Sequence, residues 1–163
     1  MERATRGEAS VRINVAPDRV YELVSDVTRM GGWSPETVRC RWVDDGGPRV
    51  GARFKGYNRR GRARWSNTLT VTRADPGREF AFRREVLHCG VCDWSYRMQP
   101  EGGGTILTES YEVLKPDWTI TNWFNGLVLG VDDRDADLLD GIRTTLARIK
   151  ETAEAEAVHG RSR

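Results

Sequence analysis

Three runs of this sequence put a polar side chain where strand alternation calls for an apolar one. In RARWSNTLTV, 62–71, one parity reads Ala63, Trp65, Asn67, Leu69 and Val71, so a carboxamide sits among hydrophobes. In EFAFRREV, 79–86, the apolar parity is Phe80, Phe82, Arg84 and Val86, which puts a guanidinium inside. In TILTESYEV, 105–113, Thr105, Leu107, Glu109, Tyr111 and Val113 share a face, and Ile106, Thr108 and Ser110 form a tolerable alternative that leaves this parity open. A buried polar group needs a partner or a ligand. Asn67, Arg84 and Glu109, with Trp94, Tyr96 and Tyr111 around them, can therefore form a ligand-orienting cluster in an apolar pocket, Arg84 facing a carboxylate, enolate or phenol oxygen. An aldol-type cyclisation or dehydration could run there on Glu109 as base, with Arg84 and Tyr111 stabilising an enolate. The opposing outcome is an Arg84–Glu109 pair that satisfies itself, or a bulge that turns one of them to solvent.

Other motifs carry less chemistry. His88 and His159 offer no readable Ser-His-Asp or Cys-His arrangement. HCGVC, 88–92, has one Cys-x-x-Cys beside a His but no second spaced pair, so no metal is expected and Cys89 and Cys92 read as free thiols on a hairpin. DRDADLLDG, 133–141, spaces acids like a calcium loop, yet Leu138 stands at the required Gly and Thr144 at the bidentate Glu; acids at a helix start explain it better. YNRRGRARW, 57–65, divides into a turn at Asn58-Arg59-Arg60-Gly61 and a strand with Arg62 and Arg64 outward, so its arginines read as a solvated sheet face.

The elements that must position these residues are legible from period and punctuation. SVRINV, 10–15, alternates as a half-buried strand; Pro17 then opens a helix with Val20, Leu23, Val24 and Val27 on one side, stopped by Gly31-Gly32. Turn residues at 44–48, 58–61, 75–77 and 101–104 cut the chain to residue 115 into a meander of six strands, each with one charged face: Val38, Cys40 and Trp42 against Arg39 and Arg41, and Ala52, Phe54 and Gly56 against Arg53 and Lys55. The apolar segment 117–130 reads as a lid-like loop or short helix, and 132–157 as a long amphipathic helix with Leu138 or Leu139, Ile142, Leu146, Ile149 and Ala153 on its stripe.

The 163 residues suffice for one domain, 1–163, with ends at 1–8 and 157–163 expected to be flexible. Lys+Arg 26 against Asp+Glu 24 lacks the basic excess of a dedicated nucleic-acid binder. The absence of a signal-like N-terminus or membrane-length apolar run points to a cytoplasmic protein.

With these elements in order, VRINVAPDRVYELVSDVTRMGGWSPE, 11–36, resembles the opening of the START-like (SRPBCC) superfamily, particularly its polyketide cyclase/dehydrase branch. The resemblance is carried by Ala16-Pro17, Val20-Tyr21, Val24-Ser25-Asp26 and Trp33-Ser34-Pro35, then by VGARF at 50–54, DPGREFAF at 75–82, GGTILTESYEV at 103–113 and TLARIK at 145–150. It implies an α+β helix-grip fold, a seven-stranded antiparallel sheet wrapped around the C-terminal helix with a cavity between them.

The resemblance also implies a small, largely apolar or amphipathic ligand, lipid-, polyketide- or aromatic-like; no cofactor, no nucleic acid and no stable membrane insertion are expected, and the protein is expected as a monomer or homodimer. The expected polar contacts are Asn67, Arg84, Glu109 and Tyr111. The expected walls are Trp42, Phe54, Trp65, Phe80, Phe82, Trp94 and Tyr96, closed by Trp118, Trp123 and Phe124, whose apolar neighbours to 129 could also touch a membrane during lipid exchange. Two alternatives share the fold: a polyketide cyclase or dehydratase using Glu109 and Arg84, and a protein-interaction or chaperone-cofactor role.

Overall fold

The computed structural model describes residues 6–86, 90–115 and 134–160. Seven strands form one antiparallel sheet in the order β1-β7-β6-β5-β4-β3-β2, with β1 (Arg6–Ile13), β2 (Thr37–Trp42), β3 (Arg53–Arg60), β4 (Ala63–Asp75), β5 (Glu79–Val86), β6 (Gly90–Glu101) and β7 (Gly104–Lys115). The six-strand meander expected from the turn residues is present. A helix α1 (Pro17–Ser25) and a short 3-10 helix (Val27–Gly32) join β1 to β2, and a long helix α2 (Arg134–Gly160) follows β7.

Local chemistry explains the boundaries. Pro17 opens α1 after an extended Ala16, as a missing N–H costs nothing in a first turn. Asp26 ends α1 and starts the 3-10 helix, its carboxylate accepting from the Thr28 N–H at 3.2 Å and the Thr28 hydroxyl at 2.5 Å. At the end of that helix the backbone passes so close to β2 that a Cβ on Gly31 would stand 2.1 Å from the Val38 carbonyl oxygen.

The core lies between the inner sheet face and α2. Ile142, Leu146, Ile149 and Ala153 repeat at spacings of four and three and are each at most 2% exposed, as the stripe requires. The inner parity of β7 is settled: Thr105, Leu107, Glu109 and Tyr111 are buried, while Thr108 faces outward to hydrogen bond Ser10. β1 pairs with β7 from Arg6, and α2 remains helical to Gly160.

One inward assignment on β2 is corrected. Cys40 is buried, but Val38 is 58% exposed, because the β2–β3 register shifts between Thr37 and Arg39 and the bulge turns Val38 out. No described helix is long and apolar enough to cross a membrane.

Candidate functional site

A cavity of about 400 Å³ lies between the inner faces of β2–β7 and the start of α2. Its side walls come from strand rows that the ladder fixes. Phe82 stands opposite Trp94 and Tyr96 opposite Glu109 across neighbouring strands, and Leu69 stands opposite Arg84. Phe54 and Phe82 meet edge to face at 5.2 Å, and Phe82 tilts against Tyr96 at 6.5 Å, so aromatic rings form the deep wall. Gly56 leaves room beside Leu69 and Cys40, since a Cβ there would touch both.

All three polar residues that break the apolar parity, Asn67, Arg84 and Glu109, border this cavity. Arg84 and Glu109 do not pair with each other. Two strands and four residues of register separate them, roughly 16 Å between Cα atoms at standard strand spacings. Glu109, 5% exposed, accepts one hydrogen bond from the Tyr96 hydroxyl at 3.1 Å, while its Oε2 and the Nε of Arg84 are buried with no hydrogen-bond partner. Burial pushes the Glu109 carboxyl up to about 8, against a smaller downward pull from Tyr96, so it is mostly protonated at neutral pH. Tyr96 is itself held well above the usual phenol range, first by burial and then by the nearby Glu109.

The expected walls divide into two layers. Phe54, Trp65, Phe82, Trp94 and Tyr96 line the cavity. Trp42, Phe80 and Tyr111 share the inward parity but stand in the surrounding core: Trp42 meets Phe54 edge to face at 5.7 Å, Phe80 meets Tyr21 at 6.4 Å, and Tyr111 packs on Trp94 at 5.6 Å. Gly7 lets the Tyr111 ring and Leu139 approach bare backbone. Trp118, Trp123, Phe124 and the lid-like segment lie outside the described residues.

The mouth holds residues that the polar-parity argument passed over. Asn58 and Arg60 continue the inward row of Phe54 and Gly56, and Asn58 accepts from the Thr37 hydroxyl at 2.9 Å. Arg60 is no solvated hairpin arginine: it forks onto both carboxylate oxygens of Asp137 at 2.5 and 2.6 Å and reaches Glu36 at 3.1 Å. This clasp ties the β3–β4 hairpin to the first turns of α2. Among the described residues no group of His, Cys, Asp and Glu could hold a metal ion, and Cys40 and Cys92 are buried free thiols.

A curved antiparallel sheet closed by a long C-terminal helix over an aromatic-walled cavity defines a helix-grip protein. The chain matches the family described as polyketide cyclase / dehydrase and lipid transport over residues 4–154, and it belongs to that family. No curated protein matches the sequence. Among solved structures, a Polyketide_cyc-like protein from Corynebacterium glutamicum is 33% identical, with 98% of this chain and 97% of that chain covered at a TM-score of 0.65. The Zhui aromatase/cyclase from Streptomyces sp. R1128 is 17% identical, covering 93% and 94% at a TM-score of 0.71. The major latex-like protein 151 from Panax ginseng is 14% identical, covering 92% and 99% at a TM-score of 0.67. These last two share the fold.

Proposed function

We propose that this protein encloses a small, largely apolar molecule bearing at least one oxygen acceptor, held by Arg84, Glu109 and Asn67 against the aromatic wall. The observation that carries the reading is the pair of buried polar atoms without partners, Arg84 Nε and Glu109 Oε2, both on residues bordering a cavity of about 400 Å³. A buried donor left unmade costs free energy, and a ligand that fills it recovers that cost. The volume falls within the roughly 300–1,000 Å³ of small-molecule sites. Family membership supports the same class of ligand.

The protonation of Glu109 refines the chemistry. A neutral carboxyl donates from Oε2, so the ligand oxygen near it is a carbonyl or phenol oxygen; an anionic oxygen belongs beside Arg84. Native mass spectrometry of freshly purified protein is expected to show a bound molecule that Arg84→Ala releases. A protein that is ligand-free as isolated and takes up no aromatic ketone or phenol would sink the proposal.

The raised carboxyl also favours a second reading, a cyclase or dehydratase in which Glu109 acts as a general acid. In that case Glu109→Gln abolishes conversion of a poly-β-ketone, whereas in the binding reading no conversion occurs with either form.

A further inference from the structure

The outer face of β2, β3 and β4 is built against its own stability. Among the outward cross-strand pairs there, Arg41 stands opposite Lys55, Arg59 opposite Arg64 and Arg39 opposite Tyr57. The two cation–cation pairs are an arrangement that costs stability in a sheet. Among the described residues, Arg39, Arg41, Lys55, Arg59, Arg62 and Arg64 make no ion pair, while Arg53, nearer the far turn, reaches Asp44 at 3.8 Å. Elsewhere on the sheet, Arg83 pairs with Asp93, Arg97 with Glu8 and Arg73 with Glu79. A net charge of only +2 makes this segregation, not excess. The phenol of Tyr57 sits at its centre, accepting from Arg41 at 3.2 Å with Arg39 over its ring at 4.4 Å, and its acidity is increased, chiefly by that hydrogen bond.

We propose that this basic face docks on an anionic bilayer surface, which brings the cavity mouth to the lipid. Position supports that occupant. Arg59 and Arg64 lie beside Arg60 and Trp65, which border the cavity from the other side of the same two strands, so a surface gripped by the hairpin lies beside the entrance. The exposed Val38, adjacent to Arg39 on the edge strand, adds an apolar contact. Nucleic acid is the poorer fit because Arg39 covers the Tyr57 ring, which base stacking would need free. Delivery of an apolar ligand across the contact rests on the binding proposed above; the docking itself rests on the charge of this face and its place beside the mouth.

Co-sedimentation with vesicles tests it, using phosphatidylcholine alone or mixed with phosphatidylglycerol, at low and at physiological salt. Binding is expected only with phosphatidylglycerol, and weaker at the higher salt. Each basic residue near such a surface is worth about five-fold in binding, so R59E/R64E is expected to lose at least about ten-fold. R73E/R78E makes the same charge change at and just past the other end of β4, roughly 30 Å from Arg64 at strand rise, and is expected to bind as wild type does. Unfolding curves confirm that both variants fold. Equal losses in the two variants, binding to neutral vesicles alone, or retention by single-stranded DNA or an acidic polypeptide without vesicle binding would each overturn the proposal. A ligand seen by mass spectrometry in a protein that ignores vesicles removes the docking and leaves the cavity reading intact.

Discussion

Tyr96 and Glu109 stand directly opposite each other on β6 and β7, and the phenol satisfies one carboxyl oxygen while the other meets no partner. Burial raises the carboxyl to about 8, so between its unfolded value near 4.5 and that figure the folded protein holds a proton the unfolded chain releases. Stability must therefore fall as pH rises through this window, by an amount on the order of several kcal/mol. Glu109→Gln keeps the acceptor for Tyr96 and cannot ionise. Urea unfolding from acid to mildly alkaline pH is expected to show a downward slope in wild type that is absent from the variant; parallel curves would show that Glu109 does not titrate there.

Arg84 has the opposite balance between stability and use. Its buried Nε lacks a partner, so replacing the side chain by an apolar one of similar length removes an uncompensated polar group. Arg84→Met is expected to leave stability unchanged or raise it by about 1 kcal/mol while ligand retention drops. A loss of stability beyond about 2 kcal/mol would mean that the guanidinium serves the fold.

The inward positions of Asn67 and Arg84 were legible because successive residues of a strand face opposite sides and only one parity of each run was apolar, whereas Glu109 was left between two tolerable faces until the burial of Thr105, Leu107 and Tyr111 fixed its side. The same rule cannot say how deep along the row a residue sits. Trp42, Phe80 and Tyr111 obey the parity, yet they pack against Phe54, Tyr21 and Trp94 in the surrounding core. Val38 escaped because its bulge has no Gly or Pro to announce it, and the 3-10 helix that packs Gly31 against the Val38 carbonyl lies outside the strand's own pattern. The Arg60–Asp137 fork joins a hairpin to a helix 77 residues later, and no local pattern connects them. Extending the inward row of β3 past Gly56 to Asn58 and Arg60 would have pointed to the mouth.

That fork is a bidentate pair about one-third exposed, so it is worth more than an ordinary surface ion pair and less than a buried one. Arg60→Gln and Asp137→Asn are each expected to cost about 1 kcal/mol, with the double variant losing less than the sum. Because the clasp spans the cavity mouth, both single variants are also expected to exchange ligand faster, read by stopped-flow release of an environment-sensitive fluorophore. Strict additivity would show that the two side chains do not act together.

The thiols give a direct reading of burial. Cys40 is pushed up to about 12 by burial, and Cys92 to about 11, where the nearby charge of Arg84 pulls part of the way back. At mildly alkaline pH both are expected to alkylate at least about a hundred-fold more slowly than an unperturbed cysteine, and to reach the free rate in denaturant. Peptide-resolved mass spectrometry separates them from Cys89. Fast labelling of Cys40 in the native protein would mean that the cavity wall opens.

Gly31 tests how the entrance is set. A methyl group there would overlap the Val38 carbonyl at 2.1 Å, and that atom belongs to backbone that the β2–β3 ladder holds in place. Gly31→Ala must push the 3-10 helix off β2 or distort the bulge, either of which costs roughly 1–3 kcal/mol. Gly32, where an added Cβ meets nothing within 4 Å, supplies the control: Gly32→Ala is expected to cost well under half as much. Since Met30, Ser34 and Pro35 border the cavity on either side of Gly31, its replacement is also expected to weaken ligand retention out of proportion to the stability lost. Equal, small effects from both alanines in thermal unfolding would show that the contact between the 3-10 helix and β2 is loose.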